Sequence, residues 1–578
     1  MKDNYILGIN FLHSDTSACI FKNGKLIAAA EEERFTRVKH TSAFPINSIY
    51  FCLEEAKIQI DQISKVTLNS NPFNALGRKV LFTLKNINRL KLGFNSLANV
   101  KKKININKYF SNLYPNKNKK LKFDYIDHHE AHIASSYYYS NFDESVNVSL
   151  DGFGDFVSCA WGSATKNKKK LIDKKIYFPH SLGIFYQALT QFLGFKKYGD
   201  EYKVMGLSSY GDPNYVNEIS NLIYNTNEGF ELNLEYFIHH KDKIIISKKN
   251  NQIEYKNLYS LKIYDLLGKE RENNQKISKK DMDIAKSAQL VYENILFNLL
   301  NKLYDKYKIK NLTLSGGCAM NSVANGKILK NTPFEKLYIS PNPGDAGGSV
   351  GSVLVSLNNS NKKIHHINNY AYLGKEYSNE NIQEAILKKK LSNNFTVSNY
   401  DQDKLLNLIT QNLINSKIIG WFQGRMEWGP RALGNRSIIA DARNPKIKDI
   451  INLKIKRREN FRPFAPSILK EHVKEWFNEE IDVPYMSQVY SIKNEKKNQL
   501  PGITHVDGTG RLQTVSKSEN SLYYYLIENF YKKTGIPIIL NTSFNENEPI
   551  VLSPEHALDC FLRTSMDMLV MGNWVVMR

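Results

Sequence analysis

One pattern occurs twice in this chain and leaves few folds open to it. Near the start, an apolar run at 6–10 leads into the polar His13-Ser14-Asp15-Thr16. A second apolar run at 17–21, a Lys22-Asn23-Gly24 turn and a third run at 25–30 follow. Apolar runs of this length, broken by a polar loop and then a Gly turn, read as strand, loop, strand and hairpin. The order returns after residue 145. There 146–150 leads to Asp151-Gly152-Phe153-Gly154-Asp155, then to 156–162, a Lys/Asn turn and a further run near 171–177. Helical sequence follows each copy. Two such units predict a duplicated α/β domain that binds a nucleotide between its halves, with chance likeness between two short β-meanders as the competing explanation.

Between 280 and 303 the apolar residues Ile284, Ala288, Val291, Ile295 and Leu299 recur at helical spacing, before a strand at 311–314 and the loop 315–321. Residues 213–280 are polar, rich in Lys and Asn, and read as an insertion. The run Ser356-Leu357-Asn358-Asn359-Ser360-Asn361-Lys362-Lys363 has the polarity of a linker. The expected organisation is therefore a domain over 1–357, a linker over 358–369 and a second domain over 370–578. In the second domain, 536–540 reads as a buried strand that ends in a polar loop at Asn541. Five cysteines with no Cys-x-x-Cys pair argue against a disulfide framework or a structural zinc. No apolar run approaches the ~18 residues of a membrane span, and the first residues do not read as a signal peptide. A cytoplasmic protein is expected.

The formal charge is +22, a balance that admits a polyanionic partner. Most of it comes from lysine runs such as Lys101-Lys102-Lys103 and Lys168-Lys169-Lys170, which read as solvated loops. The arginines are more informative. Of 15 in the chain, seven fall between Arg425 and Arg462, after none from 272 to 424. Arginine offers a rigid fork for phosphate or carboxylate where lysine offers a point charge. The segment Gly424-Arg425-Met426-Glu427-Trp428-Gly429-Pro430-Arg431-Ala432-Leu433-Gly434-Asn435-Arg436-Ser437 mixes Trp, Pro and Gly among the arginines. Such a mixture suggests shaped pockets for multiply charged anions rather than a solvated face.

Two further groups could carry chemistry. His128 and His132 of Asp127-His128-His129-Glu130-Ala131-His132 are four apart, so on a helix both reach one metal ion. Asp151 and Asp345 are the favoured carboxylate partners, since both lie in Gly-flanked loops at strand ends; imidazole plus carboxylate suits Zn, Fe, Mn or Ni. The alternative is a helix whose histidines are ordinary polar residues. The Gly-rich loops Ser315-Gly316-Gly317 and Pro343-Gly344-Asp345-Ala346-Gly347-Gly348 leave room for phosphate or ribose against backbone N–H groups. Neither matches a P-loop or a Gly-x-Gly-x-x-Gly fingerprint.

Taken together, these motifs resemble those of the NodU/CmcH-type O-carbamoyltransferases. The resemblance runs through His13, His-His-x-Ala-His at 128–132, Leu-Asp-Gly-x-Gly-Asp at 150–155 and Glu-Tyr-Lys-Val-Met-Gly-Leu at 201–207. It continues through Gly-Gly-Cys-Ala-Met-Asn at 316–321, Asn-Pro-Gly-Asp-Ala-Gly at 342–347, the Arg segment with Lys456 to Pro466, His-Val-Asp-Gly-Thr at 505–509 and Leu-Asn-Thr-Ser-Phe-Asn at 540–545. It implies an α/β protein in which a duplicated actin/sugar-kinase-like (ASKHA) domain precedes a YrdC-like domain. The second domain would turn carbamoyl phosphate and ATP into carbamoyl-adenylate. The first would pass the carbamoyl group to a hydroxyl of a sugar or natural-product acceptor.

By the same resemblance His128, His132, Asp151 and Asp345 would hold a divalent metal that also grips the ribose. In the family this is Fe2+, with Mn2+ or Zn2+ as alternatives and Mg2+ accompanying ATP. His13 would be the general base. Lys203, Gly316, Gly317 and Asn321 would contact the nucleotide, and Arg425, Arg431, Lys456, Arg462, Arg511 and Asn541 would bind carbamoyl phosphate and ATP. A small-molecule or glycan acceptor is expected, the basic charge tilting toward an anionic one. A homodimer is admitted and nucleic acid is not expected. The rival readings are a tRNA threonylcarbamoyl-type transferase and a silent ATP-binding scaffold. The segments 74–120 and 213–260 carry no motif and either shape the acceptor pocket or cover surface.

Overall fold

The computed structural model describes residues 3–85, 105–113, 121–165, 170–241, 245–246, 253–254 and 256–578. The lysines at 101–103 and 168–169 lie outside the described residues, as do parts of the segments 74–120 and 213–260. The chain forms two compact units: Met1–Asn321 with Lys327–Ile367, and Ser322–Gly326 with Asn368–Arg578. The helix Gly348–Asn359 takes in the first two positions of the expected linker.

In the first unit, β1 (Tyr5–Asn10), β2 (Ser17–Lys22) and β3 (Lys25–Glu31) form an antiparallel meander. β4 (Ile63–Leu68) and then β5 (Phe123–Tyr125) continue the sheet parallel to β1, giving the order β3-β2-β1-β4-β5. The second sheet repeats this. β6 (Glu144–Gly154), β7 (Val157–Thr165) and β8 (Lys174–Tyr177) are the meander. After two small ribbons, β9 (Ile223–Thr226) with β10 (Gly229–Leu232) and β11 (Ile245–Ile246) with β12 (Ile253–Glu254), the strands β13 (Asn311–Ser315) and β14 (Lys336–Ile339) add parallel to β6. The order is β8-β7-β6-β13-β14. The same connectivity occurs twice, so the unit is the duplicated α/β domain that the two sequence patterns imply, with the actin/sugar-kinase-like fold that the family resemblance implies.

All six residues of β1 are buried, as a strand covered on both faces requires. The helices His128–Tyr137 and Gly348–Asn359 cross so closely that a Cβ on Gly351 would sit 1.7 Å from the Ala131 carbonyl oxygen. Each follows the carboxyl end of a parallel strand, β5 and β14. The carboxyl end of β1 leads into the loop bearing His13, and Asp151 lies near the carboxyl end of β6, where its pairing with β7 is interrupted between Leu150 and Gly154. In open α/β sheets this is the end where ligands bind.

The second unit is a single mixed sheet. Its strands are β15 (Thr396–Asn399), β16 (Ile419–Phe422), β17 (Arg436–Ala440), β18 (Ala465–Leu469), β19 (Gln488–Ser491), β20 (Thr509–Val515), β21 (Ile538–Ser543), β22 (Met568–Met571) and β23 (Trp574–Met577), in the order β15-β23-β22-β16-β17-β21-β18-β20-β19. The helices Gln402–Ile414, Ser521–Thr534 and Pro554–Arg563 supply Leu405, Ile409, Leu526, Phe530 and Phe561 to one core with Trp421, Ile468 and Leu540. The strand expected at 536–540 runs instead from Ile538 to Ser543. Asn541 pairs with Ala465 on one side and Ile439 on the other, so its backbone is satisfied inside the sheet despite its polar side chain. Register then aligns four polar residues. Asn541 is level with Ala465, two residues from Ser467 on β18; Ser467 is level with Gln513, two residues from Arg511 on β20. Since strand side chains alternate, these four share one face.

Candidate functional site

Four side chains converge in the first unit. The Nε2 atoms of His128 and His132 are 3.0 Å apart. Asp151 Oδ2 lies 3.2 Å from the first and 3.5 Å from the second. Asp345 Oδ1 is 3.5 Å from each. Donors held about 2.1 Å from one centre in a tetrahedron are about 3.4 Å from each other, so this spacing fits a single divalent ion. Asp345 Oδ1 is buried and has no hydrogen-bond partner, a state that is costly for a carboxylate and is relieved by a cation. Two imidazoles with two carboxylates suit iron, manganese or zinc.

Local sequence explains the convergence. Asp127 caps the helix by accepting the Glu130 N–H at 3.0 Å, and Asp155 fixes its first turn by accepting the His128 N–H at 3.1 Å. His128 and His132 then project from one side. His128 Nδ1 faces the Asn69 carbonyl at 3.3 Å, which orients its ring. Gly317 and Gly152 donate to Asp151 Oδ1 at 3.2 and 2.8 Å, and Ser14 Oγ donates to Asp345 Oδ2 at 2.8 Å. A Cβ on Gly154 would lie 1.9 Å from His128 Cδ2, so only glycine lets the loop close over the ring. His129 points elsewhere: its ring nitrogens pair with Ser149 Oγ at 2.8 Å and the Val157 carbonyl at 2.9 Å.

The cluster holds its own charges in balance. Burial alone raises the pKa of Asp151, but the two imidazoles outweigh this and hold it well below the carboxylate range. Burial and the charge of Asp151 together push Asp345 upward. Burial works against a charged His132, yet Asp151 and Asp345 lift it to about 9. A bound cation displaces the protons that such a cluster otherwise keeps.

The remaining candidates of this unit lie in its loops. The His13 ring stacks on that of His128, with centroids 4.6 Å apart and planes at 28°. Gly316, at φ +86°, brings the loop against Leu150, and Gly317 leads to Asp151. Asn321 exchanges two hydrogen bonds with Gln289, at 3.0 and 3.1 Å. Lys203 pairs with Asp200 at 2.7 Å.

In the second unit the arginines separate into two kinds. Arg436 is fully buried and donates to the carbonyls of Gln423, Asn435, Lys375 and Gly424, with its guanidinium 3.6 Å from the Phe422 ring centroid. Its burial lowers it to about 10. Arg425 donates to the carbonyls of Gly374 and Leu373. Lys456 is buried likewise, its ammonium donating to Ser543 O, Asn545 O and Asn545 Oδ1 at 2.5, 2.8 and 2.7 Å. These three cations stitch loops together. Arg511 differs. Burial, and then the charges of Arg431 and Arg458, hold its guanidinium well below the arginine range. Its Nε donates to Ser322 Oγ at 3.2 Å. Arg462 is paired with Glu459 at 2.5 Å.

Beside this group, Asn541 Nδ2 donates to Ala432 O, Ser467 Oγ and Gln513 Oε1, while its Oδ1 is buried with no partner. A carboxylate shapes the loop bearing Arg431: Glu427 Oε1 accepts the N–H groups of Leu433, Asn435 and Arg436 at 2.7, 2.8 and 3.1 Å. Sequence reasoning did not single out Glu427, Ser467 or Gln513 and gave Arg458 no role. Glu427 and Arg458 stand inside the quoted motifs; Ser467 and Gln513 emerge only from strand register.

A paired-histidine centre at the carboxyl ends of a duplicated sheet, and a cluster of like-charged arginines on a second, are features of a group-transfer enzyme. A family model described as the carbamoyltransferase N-terminus matches residues 5–354, and one described as the carbamoyltransferase C-terminus matches 410–578. The chain belongs to the carbamoyltransferase family. It is 33% identical to nodulation protein NolNO of Sinorhizobium fredii over 98% of this chain and 79% of that protein. With nodulation protein NolO of Bradyrhizobium diazoefficiens it shares 36% over 78% of each chain. An uncharacterized protein of Synechocystis sp. is 36% identical over 99% of this chain and 96% of its own. Among solved structures, component A of the Acidaminococcus fermentans (R)-2-hydroxyglutaryl-CoA dehydratase aligns with 62% of this chain and 99% of its own, at TM-score 0.33 and 13% identity. Among the described residues no helix is long and apolar enough to cross a membrane.

Proposed function

We propose that the protein is an ATP-dependent O-carbamoyltransferase that makes carbamoyl-adenylate at the arginine cluster and transfers the carbamoyl group to an acceptor hydroxyl at the His/Asp centre. The observation that carries this reading is Arg511, a partly buried cation whose charged neighbours are the cations Arg431 and Arg458. Like charges gathered in a partly desolvated pocket are stabilised by a multiply charged anion, and guanidinium forks suit phosphoryl oxygens. Arg431, Arg458, Arg462 and Arg511 bind the phosphates of carbamoyl phosphate and ATP. Asn541 Oδ1, buried without a donor, accepts from the carbamoyl NH2. Arg425 and Lys456, engaged by protein oxygens, hold the walls of this pocket.

The balance is simple. Carbamoyl phosphate and water give carbamate and phosphate. A carbamate oxygen then attacks the α-phosphorus of ATP, so that carbamoyl-adenylate forms and pyrophosphate leaves. In the second step the acceptor oxygen attacks the carbamoyl carbon, AMP departs, and the hydroxyl proton goes to a base. His13, stacked beside His128, is placed to take it, and an imidazole has the pKa for that task. His128, His132, Asp151 and Asp345 would hold a divalent cation, iron by family resemblance, which would supply Lewis-acid polarisation and a site for ribose hydroxyls. The Gly316–Gly317 loop, Asn321 and Lys203 line the nucleotide side. The acceptor is a sugar or small natural product bearing a hydroxyl.

The test is direct. The full chain, incubated with ATP, 13C-labelled carbamoyl phosphate and Mg2+, should yield labelled carbamoyl-adenylate together with pyrophosphate and phosphate by mass spectrometry. Folded protein that yields neither labelled adenylate nor pyrophosphate removes the reading.

A further inference from the structure

The loop after β1 carries His13 in a backbone conformation that the chain does not prefer. Leu12 and Asp15 have φ of +62° and +54°, the left-handed region in which a Cβ crowds the carbonyl oxygen. Such strain persists only where the surroundings over-determine it. Here three tethers do so. Asn10 Nδ2 donates to the carbonyls of Ser14 and Asp15, each at 2.9 Å. Ser14 gives its one hydroxyl proton to Asp345 and lies 2.5 Å from the Tyr198 hydroxyl, which is therefore the donor to it. Asp15 Oδ1 pairs with His40 Nδ1 at 2.8 Å. One residue on from each partner, the Thr16 N–H donates to the Thr41 carbonyl at 3.1 Å.

Asp15, Glu33 and His40 are close enough to hold a metal, yet Asp15 Oδ1, His40 Nδ1 and both Glu33 oxygens are engaged within the protein. One Glu33 oxygen accepts from Arg34 and the other from the His40 N–H. We propose that His40 is a positioning residue: its charged ring, bonded through Nδ1 to Asp15, latches loop 11–15 in the conformation that sets His13 against His128. The latch stands on the loop's geometry; only the chemical use of His13 rests on the reading above.

The groups facing His40 are Asp15 on the loop, Glu33 on the following helix, the adjacent Lys39, and Tyr198 and Glu201 from the segment beyond β8. Burial, the largest influence, opposes the charged ring, but Asp15 with Glu33 behind it lifts His40 to about 9. Burial pushes Glu201 up to about 7, so above that pH it is ionised and adds to the hold. A pKa raised from about 6.5 means that the latch contributes fully below that pH and is lost as pH rises through about 9.

Hydrogen–deuterium exchange of the full chain tests this at the Thr16 amide. After correction for intrinsic rates, exchange in the peptide spanning 11–17 should rise roughly tenfold between pH 7 and pH 10, while β1 and β3 stay protected. His40→Ala should show the fast rate at pH 7. His40→Asn, which keeps a neutral N–H donor but no charge, should at pH 7 exchange within about twofold of the wild type at pH 10 and show no rise with pH. Unaltered protection in His40→Ala, or a wild-type profile flat from pH 7 to pH 10, overturns the latch. If His40→Ala does not fold, the wild-type and His40→Asn profiles decide alone. In the same preparations, carbamoyl-adenylate formation should be unchanged by His40→Asn. A wild type that makes no adenylate refutes the proposed function and leaves the exchange result standing.

Discussion

The His/Asp centre of the first unit and the arginine cluster of the second are built on opposite electrostatic plans. In the first, two imidazoles and two carboxylates face each other, so opposite charges moderate one another. In the second, the partly buried Arg511 has the like charges of Arg431 and Arg458 as neighbours, a repulsion that a bound anion would relieve. The contrast also separates working arginines from structural ones. Arg436, with four carbonyl acceptors, is part of the framework, whereas Arg511 is not fully accommodated by it.

The largest expected effect is at the His/Asp centre. Asp151→Ala should weaken Mn2+ or Zn2+ binding by about three orders of magnitude in calorimetric titration. Ser14→Ala, which frees only the outer oxygen of Asp345, should weaken it by roughly 10–100-fold. Equal effects of the two substitutions would break the distinction between ligand and support. Next come the arginines. Arg436→Met should destabilise the second unit by about 3 kcal/mol in denaturant unfolding, since it orphans several buried carbonyls. Arg511→Met should leave stability unchanged or raise it by about 1 kcal/mol, because a partly buried like charge is removed. If Arg511→Met unfolds the unit as Arg436→Met does, the contrast is wrong. A smaller effect sharpens it. Saturating ATP should stabilise the wild type by about 2.7 kcal/mol at 100 times its Kd, and Arg511→Met should lose most of that shift.

How far the sequence carried these conclusions depends on the range of the cause. The strand–loop–strand patterns at both sheets were legible because pleat and turn are local, and each meander lies close to its expected residues. His128 and His132 were legible because four residues make one helical turn. Asp151 and Asp345 followed from Gly-flanked loops at strand ends. The arginines were harder. Sequence displays a charge but not the acceptor that engages it, so Arg425 and Lys456 looked identical in kind to Arg431. Asn541 was expected in a loop, yet strand pairing on both sides draws it into β21. The alignment of Ser467 and Gln513 with it depends on register between strands far apart in sequence, which no local pattern encodes. The His40–Asp15 pair was equally invisible, since it depends on a left-handed turn at Asp15 that neighbouring residue types do not announce.

The division of labour between the two centres is tested most directly by separating the half-reactions. Wild type, a His128→Ala/His132→Ala double variant and Arg511→Met should each be given ATP, 13C-carbamoyl phosphate and Mg2+, and carbamoyl-adenylate quantified by mass spectrometry. The account expects adenylate from the wild type and the double-histidine variant, and a loss of at least a hundredfold in Arg511→Met. Adenylate made normally by Arg511→Met, or abolished when only the histidines are removed from folded protein, contradicts it.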